Sequence, residues 1–386
     1  MIPYGRQDIT DTDIEKLVEV LRSDFLTQGP MVEKFEKKVA SYCGVSYAKS
    51  VNSATSALHI ACLALEVGPG DTVWTSPISF VASSNCALYC GASIDFVDIA
   101  KDTYNICYDK LCDKLHNAKI TNSLPKVIVV VHLTGQSCEM EKIYQLSKVY
   151  NFKIIEDGSH AIGGKYKGEN IGSCKYSDIC IFSFHPVKII TTAEGGMALT
   201  NNINLANAME QFRSHGITRN INFMSAENPE PWYYEQIELG YNYRMTDIQA
   251  ALGLSQMDRL DDYVSIRNKL AQRYDELLSS FPVVRPFQHK DCYSSRHLYV
   301  IKLRLDMMNL SQRQVFEILR DNEIGAQLHY IPIPSQPFYK NLGFKDTDYP
   351  NALEYYHEAI SLPLFPTMTE LQQDKVVNVL SEILLK

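Results

Sequence analysis

One lysine lies alone in an apolar stretch of the chain. Residues 180–200 read CIFSFHPVKIITTAEGGMALT, and Lys188 is the only lysine or arginine among them. A charged amine in such a setting is costly unless it is paired or unless chemistry uses its neutral form. Lys188 is therefore a candidate nucleophile, although a single loop lysine beside an apolar strand is usually a solvated surface residue.

Hydroxyl and amide side chains crowd the start of a helix predicted in the segment VNSATSALHIACLALEVGPGD (51–71). The first N–H groups of a helix are free and lie at the positive end of its dipole, which suits an anion such as phosphate. The segment lacks the glycine spacing and the lysine of a Walker loop. Two interpretations stay open, a phosphate site and simple capping of the helix. The side chains concerned are Asn52, Ser53, Thr55 and Ser56.

A carboxylate ends the strand predicted in IIEDGSHAIGG (154–164). Asp157 could pair with a cation in a cleft or could cap the following turn. Together, an anion site, a carboxylate at a strand end and an isolated lysine match what pyridoxal 5'-phosphate requires: a phosphate anchor, a partner for the ring nitrogen and an amine. The combination predicts that Lys188 acts as a neutral nucleophile and base.

Alternating strand and helix patterns must position these groups. KVIVVVH (126–132) is a continuous apolar run, typical of a strand covered on both faces, and a helical pattern links it to a second strand, FKIIE (152–156). The same alternation covers residues 50–200 and predicts a mainly parallel sheet with helices on both faces and ligands at the carboxyl ends of its strands. Two amphipathic helices precede it, and Gly44 is predicted to end the second.

The pattern changes in the last third of the chain. HLYVIKLRL (297–305) alternates as in a half-buried strand, LSQRQVFEILRDN is typical of a helix, and Thr369 with Gln372 forms a capping box for the last helix. We therefore predict an α/β protein with two parts. A large domain, 1–255, includes the N-terminal helices, and a small α+β domain covers 256–386.

Composition excludes several classes of protein. The 386 residues carry 37 basic and 45 acidic side chains, a net charge of −8, and no cluster of Lys and Arg, which argues against nucleic acid. The N-terminus is polar and the apolar runs are too short for a bilayer, so we expect a cytoplasmic protein without a membrane partner. Ten cysteines without a CxxC pair argue against zinc and a disulfide framework, and most are expected to be buried.

Five segments resemble the DegT/StrS-type nucleotide-sugar aminotransferases, and the resemblance extends over nearly the whole chain. It implies the fold of aspartate aminotransferase, fold type I of the pyridoxal-phosphate transferases. One branch of that family has histidine at the position of Lys188 and performs dehydration, so the lysine favours transamination. The segments are NSATSALHIACLAL (52–65), SPISFVASSNCALYCGA (76–92), IEDGSHAIGGKYKG (155–168), SFHPVKIITTAEGG (183–196) and GYNYRMTDIQAALGLSQ (240–256).

Four segments, one of them within a segment already named, resemble one branch of the family, which aminates C4 of a UDP-linked 4-keto-6-deoxy-N-acetylhexosamine. They are LTQGP (26–30), SPISFVAS (76–83), FRSHGITR (212–219) and LHYIPIPSQPFY (328–339). The resemblance implies L-glutamate as the amino donor and 2-oxoglutarate as the second product. Two alternatives stay open. The substrate could be another ketosugar, aminated at C3 or linked to dTDP or GDP, or the protein could be a coenzyme-binding regulatory module without turnover.

The resemblance also implies roles for individual residues. Lys188 would bind the coenzyme covalently and transfer protons, Asp157 would pair with the ring nitrogen, and His160 would lie beside the ring hydroxyl. Phe80 would stack on the ring, which needs a flat apolar face. The coenzyme phosphate would be bound by three further residues of the same chain: Ala54, Thr55 and Ser183.

Family members form dimers with shared active sites. The resemblance therefore implies that Asn242 reaches the phosphate of the neighbouring subunit, although this residue could simply occupy a turn. The sugar pocket is expected to be built by two pairs of loop residues: Thr27 and Gln28, and His329 and Tyr330. We expect a homodimer that acts on small molecules, with no metal at its site.

Overall fold

The computed structural model describes residues 1–226 and 229–385. The α-helices of these residues are α1 Asp11–Leu21, α2 Pro30–Cys43, α3 Ala54–Ala64, α4 Ala82–Tyr89, α5 Tyr108–Ile120, α6 Met140–Tyr150, α7 Ile203–Arg213, α8 Asp247–Gln256, α9 Leu260–Leu277, α10 Gln312–Asp321, α11 Pro337–Asn341, α12 Pro350–Glu358 and α13 Glu370–Leu384. Short 3-10 helices cover Leu133–Gly135, Ile221–Phe223, Met257–Arg259, Leu305–Met307, Ile333–Ser335 and Asp346–Asp348.

The β-strands of the same residues are mostly short. They are β1 Tyr47–Val51, β2 Thr72–Thr75, β3 Ser93–Phe96, β4 Val127–Val131, β5 Lys153–Asp157, β6 Lys165–Tyr166, β7 Glu169–Asn170, β8 Ile179–Ser183, β9 Gly196–Thr200, β10 Ile217–Thr218, β11 Glu235–Gln236, β12 Val283–Val284, β13 Cys292–Tyr293, β14 Tyr299–Leu303 and β15 Ala359–Leu362.

A seven-stranded sheet forms the centre of the molecule, with the order β1-β9-β8-β5-β4-β2-β3. Strands β8, β5, β4, β2 and β3 are mutually parallel, and β9 is antiparallel to both of its neighbours. Every residue of β4 and β8 is buried, as expected for strands covered by helices on both faces. The prediction of a mainly parallel sheet is confirmed.

The sheet brings three strand ends to one edge. Because β9 is antiparallel to both β8 and β1, strand β1 runs in the same direction as β8 and β5. Val51, Ser183 and Asp157 are the last residues of β1, β8 and β5, so they lie at the same edge of the sheet. Helix α3 begins at this edge, three residues after Val51. The predicted ligand-binding edge thus has the polar groups that the sequence placed there.

The N-terminal helices α1 and α2 both pack against α8, and α2 also packs against β1 of the large sheet. Gly44 ends α2 with φ of 71°, a left-handed conformation that glycine adopts without strain, as predicted. The buried Asp13 of α1 accepts hydrogen bonds from Ser255 at 2.6 Å and Gln256 at 2.9 Å and pairs with Arg259 at 2.6 Å. This network attaches α1 to α8 and to the turn that follows it.

A second, three-stranded antiparallel sheet with the order β12-β14-β15 lies in the last third of the chain. Thr369 and Gln372 form the predicted capping box of α13. The prediction of a half-buried strand at 297–305 was wrong, because all five residues of β14 are buried. Val300 packs into the core of the large sheet, whereas Tyr299, Ile301 and Leu303 pack into a separate C-terminal core.

The chain's first residues also join this C-terminal core. Ile2 is buried there and forms a parallel bridge with Ile324, with Ile2 N donating to Glu323 O at 2.7 Å. The division at residue 255 stays a prediction. Within the parts of the chain that the structure describes, each helix is too short or too polar to cross a bilayer.

Candidate active site

A cavity of about 810 Å³ opens at the edge where β1, β5 and β8 end. Twelve of the residues singled out from the sequence line it: Asn52, Ser53, Ala54, Thr55, Ser56, Phe80, Asp157, His160, Ser183, Lys188, His329 and Tyr330. Three other predicted residues do not line the cavity of their own chain. Thr27 and Gln28 are exposed, and the exposed Asn242 bridges Ser214 through its backbone.

The N-terminus of α3 forms one wall of the cavity. Ser53 caps the helix by accepting a hydrogen bond from Ser56 N at 3.1 Å. The backbone N–H groups of Ala54 and Thr55 donate to no acceptor among the described residues, although both residues line the cavity. Two free donors at the positive end of a helix dipole suit a phosphate group. The capping interpretation is confirmed for Ser53, and the phosphate site stays a prediction that the free donors of Ala54 and Thr55 support.

Gly196 allows this helix to approach the sheet. Gly196 is the first residue of β9, and a Cβ atom built on it would lie 2.5 Å from Ala54 N and 2.6 Å from Ser53 O. Such distances are far below ordinary van der Waals contact, so only glycine permits the observed packing. The position of the two free N–H groups therefore depends on a residue in another strand.

Asp157 is only 6% exposed, and both of its carboxylate oxygens accept hydrogen bonds. Ser83 Oγ donates to Oδ2 at 2.6 Å, and Ser159 N donates to Oδ1 at 3.1 Å. Ser79 and Ser83 are joined at 2.7 Å, and because the Ser83 proton goes to Asp157, Ser79 is the donor. The contact with Ser159 is the turn cap that the sequence allowed. A carboxylate has about four acceptor sites, so it can accept a further donor from the cavity.

Lys188 is partly buried and follows a turn in which its backbone N–H donates to His185 O at 2.9 Å. Burial lowers the pKa of its amine to about 8, and the nearby Asp157 opposes that shift. The ion pairs of the described residues do not include Lys188. With that pKa, about a quarter of the amine is neutral at pH 7.5, compared with roughly 0.1% for an ordinary lysine. The structure thus supplies the neutral amine that the sequence pattern suggested.

His160 forms a neutral wall of the cavity. Thr134 N donates to its Nδ1 at 3.3 Å, so the ring proton of the neutral form lies on Nε2, which donates to the Tyr330 hydroxyl at 3.1 Å. Burial lowers the pKa of His160 well below its ordinary value, and the charges of Lys188 and His329 add to that effect. A neutral His160 can donate a hydrogen bond from Nε2 to an oxygen of a bound ligand.

Two further aromatic groups complete this wall. Burial, with a smaller contribution from Lys188, lowers the pKa of His329 to about 3, and its Nδ1 lies 2.9 Å from Ser361 Oγ. The Phe80 ring is 59% exposed and its centroid lies 6.3 Å from that of Tyr330. Phe80 thus presents an apolar face to the cavity, as stacking on a flat ligand requires.

Sequence reasoning missed several residues of the cavity. Glu194 and Gln249 lie in two of the segments that carry the resemblance, and Gln249 Nε2 donates to Glu194 O at 2.8 Å. Tyr4 and His297 line the cavity from distant parts of the chain, and no local pattern marks them. Ser83 does not line the cavity, and because it lies on α4 while Ser79 precedes that helix, no periodic pattern in the sequence joins the two serines.

Comparison with known proteins decides the family. The DegT/DnrJ/EryC1/StrS aminotransferase family matches residues 7–381, which is nearly the whole chain. The chain belongs to this family. The predicted family, the fold and the assignment as an aminotransferase are therefore confirmed. The cofactor prediction is also confirmed, because aminotransferases of this family depend on pyridoxal phosphate.

Several relatives of this aminotransferase carry more specific names. It is 39% identical over 388 residues to a UDP-4-amino-4,6-dideoxy-N-acetyl-beta-L-altrosamine transaminase of Campylobacter jejuni, covering 100% of this chain and 98% of that one. It is 37% identical over 385 residues to the spore coat polysaccharide biosynthesis protein SpsC of Bacillus subtilis, covering 99% and 97%.

Solved structures give the same family. Helicobacter pylori PseC, an aminotransferase involved in the biosynthesis of pseudoaminic acid, superposes with a TM-score of 0.90 at 32% identity over 99% of this chain and 98% of that one. The putative sugar aminotransferase Spr1654 of Streptococcus pneumoniae, in its PLP form, gives a TM-score of 0.88 at 30% identity over 99% and 98%.

The cavity of this aminotransferase fits pyridoxal phosphate. Free N–H groups at Ala54 and Thr55 can hold the phosphate, and Asp157 has room for one more donor, such as a ring N–H. Lys188 offers an amine with a lowered pKa in the same cavity. The three requirements recognised in the sequence thus meet in one place.

Proposed function

We propose that this protein transfers the amino group of L-glutamate to C4 of a UDP-linked 4-keto-6-deoxy-N-acetylhexosamine. The substrate would be UDP-2-acetamido-2,6-dideoxy-β-L-arabino-hex-4-ulose, and the products UDP-4-amino-4,6-dideoxy-N-acetyl-β-L-altrosamine and 2-oxoglutarate, in pseudaminic acid biosynthesis. The observation that carries the proposal is the amine of Lys188 in one cavity with Asp157 and the free N–H groups of α3. The names of the Campylobacter jejuni and Helicobacter pylori relatives support the choice of sugar.

Lys188 carries the proton transfers in this proposal. When bound, pyridoxal phosphate supplies a reactive carbonyl and an electron-withdrawing ring. Burial lowers the pKa of Lys188 to about 8, so Nζ can take a proton from the α-carbon of glutamate and return one to C4 of the sugar. A pKa near the working pH suits a group that must both accept and release a proton.

Asp157 and His160 orient the chemistry. Ser83 and Ser159 fix the carboxylate of Asp157 from two sides, which leaves its remaining lone pairs for a cationic N–H in the cavity. His160 holds its proton on Nε2, where Tyr330 now accepts it at 3.1 Å. We assign His160 the role of donor to the ring hydroxyl.

Loop residues and a second subunit complete the proposed site. His329 and Tyr330 line the cavity and are proposed to contact the sugar, together with Thr27 and Gln28, which lie outside the cavity of their own chain. We propose a homodimer in which Asn242 serves the partner's phosphate. Asn242 O lies 3.5 Å from the side chain of Asn52, which lines the cavity, so the loop of Asn242 runs close to the site.

A panel of nucleotide ketosugars tests the proposal. Purified protein with pyridoxal phosphate and glutamate is given UDP-, dTDP- and GDP-linked 4-keto and 3-keto sugars, and 2-oxoglutarate and the aminated sugar are quantified. The proposal expects the UDP-linked 4-keto-N-acetyl sugar to react fastest, with the amine at C4. Lys188→Ala is the control and should give no turnover.

Other outcomes contradict the proposal in different ways. Faster turnover of a dTDP or GDP sugar, or an amine at C3, would reassign the substrate and leave the aminotransferase intact. No turnover with any sugar, while glutamate fails to change the absorbance of the bound coenzyme, would favour a regulatory module.

A further inference from the structure

Four chemically reactive side chains meet between α3 and α4, outside the cavity of the active site. His59 and Cys62 lie three residues apart on α3 and therefore share one face of that helix. Cys86 lies on α4, and Cys90 is the residue that ends it. None of the four lines the active-site cavity, and the proposed transamination does not use them.

His59 has one ring nitrogen engaged and one aimed into this cluster. Its Nδ1 lies 3.2 Å from the Tyr243 hydroxyl. Its Nε2 is buried and makes no hydrogen bond in the described part of the chain, and the His59 ring neighbours Cys90. When Tyr243 donates to Nδ1, the ring proton lies on Nε2 and can be shared with a Cys90 thiolate. The histidine itself is only 4% exposed, so this donor has no competing water.

The three cysteines differ in exposure. Cys62 and Cys86 are 0% exposed, whereas Cys90 is only partly buried and follows the exposed Tyr89. The Cys62 thiol is within hydrogen-bonding reach of both other sulfurs. The neighbouring Cys62 thiol, followed by the His59 ring, lowers the pKa of Cys90 to about 6, and burial opposes that shift. Cys90 is thus the accessible nucleophile, and Cys62 is a protonated thiol in contact with it.

We propose that Cys90 is an oxidisable thiol that peroxide converts into a disulfide with Cys62, and that His59 holds the Cys90 thiolate. The Cys90 thiolate attacks one oxygen of hydrogen peroxide, giving a sulfenic acid and hydroxide. The Cys62 sulfur then attacks the Cys90 sulfur, and the Cys62 proton goes to the displaced hydroxyl, which leaves as water. The hydroxide of the first step takes up the proton that Cys90 lost on forming the thiolate. In total, two thiols and one peroxide give one disulfide and two waters.

One observation favours thiol chemistry over metal binding at this cluster, and a second one selects the disulfide partner. In the part of the chain that the structure describes, no group of three His, Cys, Asp or Glu side chains has an arrangement that could hold a metal ion. Cys86 shares α4 with Cys90 at a spacing of four residues, where the side chains run side by side, whereas Cys62 approaches Cys90 from the facing helix. Cys62 is therefore the disulfide partner.

Peptide mapping after brief exposure to one equivalent of hydrogen peroxide tests the proposal on the holoenzyme. The expected product is a linked pair of peptides containing Cys62 and Cys90, with the protein lighter by two hydrogen atoms and restored by dithiothreitol. Near pH 7 a thiol of pKa 6 has about 30 times more thiolate than an ordinary cysteine, but its lower basicity makes it roughly tenfold less nucleophilic. We therefore expect Cys90 to be alkylated by iodoacetamide a few-fold faster than Cys107, Cys112 or Cys292.

Variants separate the roles. Cys62→Ser should stop the reaction at a Cys90 sulfenic acid that dimedone traps, and His59→Gln should slow the oxidation of Cys90 a few-fold. Tyr243→Phe, which removes the group that fixes the histidine proton, provides a second test if His59→Gln does not fold. Cys107→Ser is the matched control and should change neither the oxidation of Cys90 nor its disulfide with Cys62. The proposal is overturned if another cysteine reacts first, if the disulfide does not include Cys90, or if neither His59→Gln nor Tyr243→Phe slows the reaction.

Discussion

Replacing Gly196 by alanine should damage the phosphate site without replacing any residue that is assigned to contact the coenzyme. The new Cβ would lie 2.5 Å from Ala54 N and 2.5 Å from the carbonyl carbon of Ser53. To restore ordinary contact, the start of α3 must move by about 1 Å from β9. The two free N–H groups at Ala54 and Thr55 move with it.

Two magnitudes follow from this displacement. Overpacking of this kind costs about 1–3 kcal/mol, reduced by up to about 1 kcal/mol because alanine orders the unfolded chain. Each hydrogen bond from an N–H group to a charged phosphate contributes about 1.5–3 kcal/mol, so misaligning two of them should cost about 2 kcal/mol of coenzyme binding. That loss corresponds to an affinity roughly 30-fold weaker.

Titration of the apo-protein with pyridoxal phosphate and with pyridoxal, followed by absorbance, measures the effect. Gly196→Ala should weaken the binding of pyridoxal phosphate about 30-fold and should leave the binding of pyridoxal, which has no phosphate, nearly unchanged. Gly68→Ala is the matched control, because nothing lies within 4 Å of a Cβ at that position. Equal weakening of both ligands, or no weakening of either, would refute the assignment of α3 as the phosphate site.

Three other substitutions test the remaining roles. Asp157→Asn should slow the half-reaction with glutamate by about 10²-fold or more while thermal melting changes little, and an unchanged rate in single-turnover absorbance would remove Asp157 from the site. Burial lowers the pKa of Lys188 to about 8, so below pH 8 the charged amine destabilises the folded protein. This destabilisation decreases as the pH rises above 8 and disappears near pH 10.5, where the amine of the unfolded chain also loses its proton. Lys188→Met should therefore stabilise the apo-protein by about 1–2 kcal/mol at pH 7, a value reduced because Lys188 is partly exposed, and should not stabilise it at pH 10.5. Thermal melting measures both, and an equal change in melting temperature at the two pH values would contradict the prediction. Asn242→Ala mixed with Lys188→Ala should recover activity through hybrid dimers that hold one intact site, and no recovery in demonstrated hybrids would place Asn242 outside the partner's site.

The sequence alone determined the chemistry of the site and the sheet that carries it. Apolar runs and helical spacing mark β4, β5 and the helix between them, because periodicity is a local property of the chain. Asp157 and Lys188 could also be recognised locally, because each is a charged residue in an apolar segment. The candidate phosphate site at the start of α3 was predicted from hydroxyl side chains at the beginning of a helix.

Only the tertiary structure decided which distant groups complete the site and what each strand faces. Tyr4 and His297 reach the cavity from opposite parts of the chain, and no local pattern encodes that approach. Strand β14 alternates like a half-buried strand, but later helices cover its second face, so all of it is buried. Burial, and with it the lowered pKa of Lys188, depends on what packs against a residue, and that is set by contacts between segments far apart in sequence.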